Sequence, residues 1–207
     1  MDVPRATDLR IDFSLTPLDQ VERWGGNQLH WFALTDGVYR LRFGDHAFPD
    51  DEVDYYLARV WEDLLVLAPA ALEPVPADLV DLVRGEVVIN DEDLAALHWY
   101  SDHYLDFGYV QGVRGCQWWR LDDVLHVEWP GHHVTMPVEA FTAALTGFHH
   151  ALMAAMEQRV RHCETQGVPP GTGLDVAGLR REHEDRKTWL APALRPRTTD
   201  LAAVRRA

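Results

Sequence analysis

Hydrophobic and polar positions alternate along Leu9-Arg10-Ile11-Asp12-Phe13-Ser14-Leu15, the period-two pattern of a half-buried strand. Leu29–Leu34 and Val38–Phe43 are two further β-rich runs, separated by Thr35-Asp36-Gly37. Asp-Gly between such runs predicts a hairpin, because glycine supplies the positive φ of a tight turn. Proline and three acids at Pro49-Asp50-Asp51-Glu52 suit a helix N-terminus. The spacing predicts a helix from about Glu52 to Leu67, with Val53, Leu57, Val60, Leu64 and Leu67 on one face.

Pro69, Pro74 and Pro76 break the chain, and a short helix is expected over Asp78–Arg84. Asn90-Asp91-Glu92-Asp93 opens a helix from Leu94 to about Leu105. Strands follow at Cys116–Leu121, Val124–Trp129 and His133–Met136, with turns at Asp122-Asp123 and Pro130-Gly131. The longest periodic segment runs from Val138 to about Cys163. Val138, Phe141, Leu145, Phe148, Leu152, Met156 and Val160 recur there at helical spacing.

These elements imply an α+β domain: one antiparallel sheet of about five or six strands, with helices packed mainly on one face. Val38–Phe43 leads through His46 and Pro49 into a helix, and Val124–Trp129 leads through His132 and Pro137 into another. With a two-residue gap, Leu57, Val60 and Leu64 align with Leu145, Phe148 and Leu152. The pattern fits two ββα-like units from a duplication, or two hairpin–helix units that recur by chance. The domain is expected to span residues 1–166. Residues 167–207 read as a Pro/Gly linker, a charged helix over Val176–Leu190 and a mobile tail.

Charge divides the chain the same way. Residues 1–173 carry 11 basic and 28 acidic side chains, while residues 174–207 carry 8 and 5. A body of net −17 argues against binding nucleic acid phosphates. The cationic tail is expected to fold back on that body or to bind elsewhere. No run of the sequence has the length of a membrane span, and the N-terminus leads into no signal-peptide core. Cys116 and Cys163 form no disulfide framework, so a cytoplasmic setting is expected.

Several segments together carry a resemblance. They are Thr16-Pro17-Leu18 with Val21 and Trp24-Gly25, Leu29-His30-Trp31-Phe32-Ala33-Leu34-Thr35-Asp36-Gly37, Asp54-Tyr55-Tyr56-Leu57-Ala58-Arg59-Val60-Trp61-Glu62-Asp63-Leu64, and His126–Trp129 with Val134–Val138. Over roughly residues 10–163 the chain resembles a family of actinobacterial proteins of unknown function. The resemblance implies a bacterial α+β protein and carries over no catalytic residue.

Candidate chemistry is sparse. His98 and His103 are five apart, about 140° around a helix, which is wrong for a metal pair. No His-Glu-x-x-His, paired-Cys, nucleophile-elbow or phosphate-loop motif is present, so no metal and no cofactor is expected. On the strand Val124–Trp129, alternation places His126 and Glu128 on one face, where Arg120 of the neighbouring strand could join them for acid–base work. His149-His150 reads as a boundary pair or a pH-sensitive contact.

The acidic clusters, with Asp51, Asp54, Glu62 and Asp63 among them, suit a basic protein partner, and Trp24, Trp31, Trp118 and Trp119 are candidate anchors. The leading expectation is therefore an acidic protein-binding module, such as an immunity-type protein that neutralises a basic toxin. The alternatives are an enzyme or small-ligand binder with a His/Glu/Arg and Trp-lined pocket, and a subunit that oligomerises through the long helix. Sequence leaves the oligomeric state open.

Overall fold

Strand β1 (Leu9–Leu15) pairs antiparallel with β2 (Gly37–Phe43), and β2 pairs with β3 (His46–Asp54). The computed structural model describes residues 8–22, 28–83, 94–168 and 171–204. Helix α1 (Leu57–Ala71) follows β3, and α2 (Val80–Val83) and α3 (Leu94–Asp102) come next. A second antiparallel sheet has the order β4 (Tyr104–Leu105), β5 (Cys116–Leu121), β6 (Val124–Trp129), β7 (His132–Pro137). The chain then forms α4 (Val138–Gln166), α5 (Val176–Arg186), α6 (Leu190–Ala193) and α7 (Leu201–Val204).

The strands thus divide between sheets of three and four instead of forming one sheet of five or six. Local pattern identifies β1, β2, β5, β6 and β7, but nothing local in the sequence encodes where one sheet stops. Here α1 follows β3 and closes the first meander before the second begins.

Two local expectations are corrected. Leu29–Leu34 is not a hairpin arm: Trp31, Ala33 and Leu34 are all buried, and Ala33–Thr35 forms a 3-10 turn. Successive burial breaks the alternation that a half-exposed strand needs. The true hairpin is β2–β3, turning at Gly44 with φ +58°. Pro49–Glu52 likewise lies inside β3, because Phe48 pairs with Leu41 and Val53 with Tyr39, carrying both side chains into the core. Helix α1 starts later, at Leu57, where the Thr35 hydroxyl accepts the Ala58 N–H at 3.0 Å. By contrast β5 and β6 coincide with the expected strands, and the apolar stripe of α4 is buried from Phe141 to Val160.

The two hairpin–helix units meet through matching positions. Phe43 and Trp129, which end β2 and β6, have ring centroids 5.3 Å apart. His46 and His132, which begin β3 and β7, are 5.6 Å apart. Trp61 and His149, matched by the alignment of the helix stripes, are 5.8 Å apart. Each helix also crosses to the other unit: α4 packs on β1, and α1 packs on β5.

A smaller core covers the outer face of the second sheet. Leu79, Ala96, Trp99, Trp119 and Leu201 bury one another there. The C-terminal segment thus packs on the body, and its cations meet acids. Arg197 reaches the buried Glu73 at 2.8 Å and Asp102 at 2.6 Å.

Candidate functional site

The register of β5, β6 and β7 assembles an aromatic and imidazole cluster on that outer face. Trp119 lies opposite His126, and their rings stack at 5.5 Å and 14°. His126 Nδ1 is 3.0 Å from Nε2 of His133, in hydrogen-bond contact. Burial, then the neighbouring His133, pushes the His126 pKa down to about 4. His126 is therefore a neutral ring near pH 7, able to hold or pass one proton along the pair.

Glu128 shares this face and is exposed, opposite Gln117 on β5 and His133 on β7. Arg120 does not join them. It pairs in register with Leu125, on the inner face. Its guanidinium donates to the Leu72 carbonyl at 2.9 Å and the Asp122 carbonyl at 2.6 Å, and it pairs with Asp123 at 3.1 Å. Arg120 ties the end of α1 to the β5–β6 turn. One residue of register separates it from the His126–Glu128 face.

Two clefts flank the β6–β7 turn. One, of 520 Å³, lies among Tyr100, Tyr104, Arg114, Gln117, Glu128 and Trp129. The other, of 390 Å³, lies between Phe48–Asp51 of β3 and Arg114, Trp129 and His132. Arg114 borders both, is exposed and forms no ion pair among the described residues.

Of the proposed tryptophan anchors, the three among the described residues lie away from a free surface. Trp31, Trp118 and Trp119 are buried, and Trp24 lies outside the described residues. Trp118 donates its indole N–H to Cys116 Sγ at 3.0 Å. Trp31 donates to His183 Nδ1 at 3.3 Å. Trp31 and Trp118 are thus core rings with internal partners, and Trp119 is buried against His126 and His133.

The acids separate into two groups. Asp51 and Asp54 are exposed on β3, as are Asp50 and Glu52. Beta3 is an edge, with β2 on one side and no described strand on the other. Glu62 and Asp63 instead hold internal cations. Glu62 pairs with Arg186. Asp63 lies 3.2 Å from Arg59, and burial pushes its carboxyl up to about 6 despite that cation.

Sequence reasoning did not identify the environment of Arg186. Its guanidinium lies 4.2 Å from the Trp31 ring, 4.7 Å from Trp189 and 5.7 Å from Trp61. Tryptophan faces attract a cation through their quadrupole. Glu182 adds a pair at 3.0 Å. This cage clasps α5 to α1 and to the loop around Trp31.

Glu157, His183 and Glu184 gather close enough to ask whether they hold a metal. A metal on His183 Nε2 needs the ring proton on Nδ1. The Trp31 indole N–H already points at Nδ1. The carboxylates are also engaged, with Arg180 at 2.7 Å from Glu157 and Lys187 at 2.8 Å from Glu184. Hydrogen bonding from Arg180 leads the effects that hold Glu157 down at about 2. The group is an ion-pair network locking α5 on α4, and its donors suit cations already in the chain.

A family model, described as a family of unknown function, DUF5984, matches residues 10–207. The chain belongs to DUF5984. The match includes α5 and the C-terminal segment, beyond the residue-163 limit of the sequence resemblance. No curated protein and no solved structure matches the chain.

Within this DUF5984 chain, the two runs noted in the sequence have structural duties. In Trp31–Gly37, Trp31 faces Arg186, and Thr35 receives the first turn of α1. Gly37 lies against β1, where a Cβ would come 2.2 Å from the Ser14 carbonyl oxygen. In Tyr55–Leu64, Tyr55 stacks on Tyr109 at 4.8 Å, and Trp61 stacks on Trp189 at 5.5 Å. No helix among the described residues is long and apolar enough to cross a membrane.

Proposed function

We propose that this chain is an acidic cytoplasmic protein-binding module that docks a basic partner along β3, in the manner of an immunity protein neutralising a cationic toxin. The observation carrying this reading is the exposed run Asp50-Asp51-Glu52 with Asp54 on an edge strand. A free edge offers backbone donors and acceptors to an added strand, and its carboxylates favour a cationic one. The same charges oppose pairing between two copies of this edge, which keeps it available.

The docking reading does not use the tryptophans. Charge would steer encounter, and β3 backbone groups together with the adjoining 390 Å³ cleft would supply the short-range contacts. The acid–base alternative loses support because Arg120 lies off the His126–Glu128 face.

Affinity capture with the chain as bait tests the proposal. A strongly cationic protein is expected to be retained at low salt and released as salt rises. The triple variant Asp50→Lys, Asp51→Lys, Asp54→Lys should fail to retain it. Recovery of no cationic partner, or equal capture by the variant, would overturn the reading.

A further inference from the structure

We propose that the 520 Å³ cleft beside the β6–β7 turn binds a small zwitterion of the α-amino acid or short-peptide class, with Glu128 receiving the ammonium group and Arg114 the carboxylate. This does not rest on the basic-partner reading.

Opposite charges line the cleft without neutralising each other. Glu128 and Arg114 are both exposed, and neither forms an ion pair with a described residue. By contrast, Arg180, Arg186 and Arg197 each hold two or more carboxylates. An ammonium and a carboxylate on one ligand would complete both charges at once.

The remaining lining has matching chemistry. Gln117 is only 6% exposed, and its amide N–H donates to the Tyr100 carbonyl at 2.6 Å. Its amide oxygen is the acceptor half of a fixed polar group. The Glu128 charge reaches the Tyr100 hydroxyl, whose pKa is raised first by burial and then by that carboxylate. Tyr104 is one of two large apolar side chains left exposed among the described residues, at 42%. Gly115 makes room for it: a Cβ there would come 2.7 Å from the Tyr104 ring. Aromatic walls with a few polar groups of both signs are the usual make-up of a small-ligand site. The net acidity of the chain also favours a ligand with an ammonium group over a plain anion.

Calorimetric titration with L-phenylalanine, N-acetyl-L-phenylalanine, L-phenylalanine amide and the dipeptide Phe-Ala tests this. L-phenylalanine is expected to bind. Glu128→Gln and Arg114→Met should each weaken it about tenfold or more, and circular dichroism should show both variants folded, since both positions are exposed. Each blocked form lacks one of the two charges and should bind at least about tenfold more weakly than L-phenylalanine, whereas undiminished binding of either would overturn the proposal. The dipeptide separates the two ligand sources: a free amino acid site loses it, and a short-peptide site keeps it. Absence of heat from all four probes at about 10 mM, or binding that neither substitution changes, would overturn the proposal.

Discussion

Trp61 donates its indole N–H to Nδ1 of His149 at 3.2 Å, and the two residues occupy matching places in the two hairpin–helix units. The bond joins α1 to α4 at their crossing. A second bond of the same kind, Trp31 to His183, joins the loop before β2 to α5. Each fixes its imidazole as the tautomer with a free Nδ1 lone pair, so protonation at that nitrogen breaks the bond.

This makes stability pH-dependent. Burial leads the effects that depress both His149 and His183 below the ordinary histidine value. As pH falls through about 6.5, the unfolded histidines take up protons before the folded ones. Their contribution is therefore fully present above that pH and is lost as pH falls toward the folded values. Urea unfolding between about pH 7.5 and 5 should show declining stability. The slope should be smaller in His149→Phe. Parallel curves for the two proteins would contradict this assignment.

Asp63 has the opposite sign. Its carboxyl is raised to about 6, so the folded state binds the extra proton between the unfolded value, 3.8, and about 6. Ionisation of Asp63 costs stability above pH 6. Asp63→Asn is expected to stabilise the chain by about 1–3 kcal/mol at pH 7.5 and to do little near pH 4, as read by thermal or urea unfolding.

Arg186 clasps the C-terminal segment to the body. Arg186→Ala removes its contacts with Trp31 and Trp189 and leaves Glu62 and Glu182 without that cation. A loss of about 2–4 kcal/mol is expected. Tryptophan fluorescence should shift to the red as Trp31 and Trp61 gain water. Unchanged stability and emission would show that α5 is held by other contacts.

Gly37 is needed for its missing side chain. Gly37→Ala would place a Cβ against the Ser14 carbonyl, so the β1–β2 pair must part. A loss of more than about 2 kcal/mol is expected in urea unfolding. Gly147→Ala is the contrast: a Cβ there meets nothing within 4 Å, and helix propensity favours alanine.

The second half of the fold was legible because its patterns are local. Cys116–Leu121 and Val124–Trp129 alternate and are joined by a two-residue turn, and Phe141–Val160 repeats at helical spacing. The first half misleads where tertiary contacts override local chemistry. Asp36-Gly37 looks like a hairpin turn, yet Gly37 serves a close approach to a strand more than twenty residues earlier. Pro49–Glu52 looks like a helix start, yet Phe48 and Val53 hold it in the sheet. The site is harder still. His126 and Glu128 share a face by alternation alone, whereas His133, Arg114 and Tyr100 arrive through strand pairing and loop closure that no spacing in the sequence records. Tryptophan content suggested anchors, but a ring that docks a partner and a ring that fills a core have the same composition.

The acidic β3 edge is tested most directly by titrating the captured cationic partner against three proteins over about 0.05–0.5 M salt. These are the unaltered chain, the variant Asp50→Lys/Asp51→Lys/Asp54→Lys, and the variant Asp19→Lys/Asp81→Lys/Glu139→Lys. The last makes the same change in net charge at exposed positions outside β3. The β3 variant should bind at least about tenfold more weakly at 0.15 M salt, with a flatter salt dependence, while the control stays within about twofold of the unaltered chain. Equal weakening by both variants, or none by the β3 variant, would contradict docking at β3.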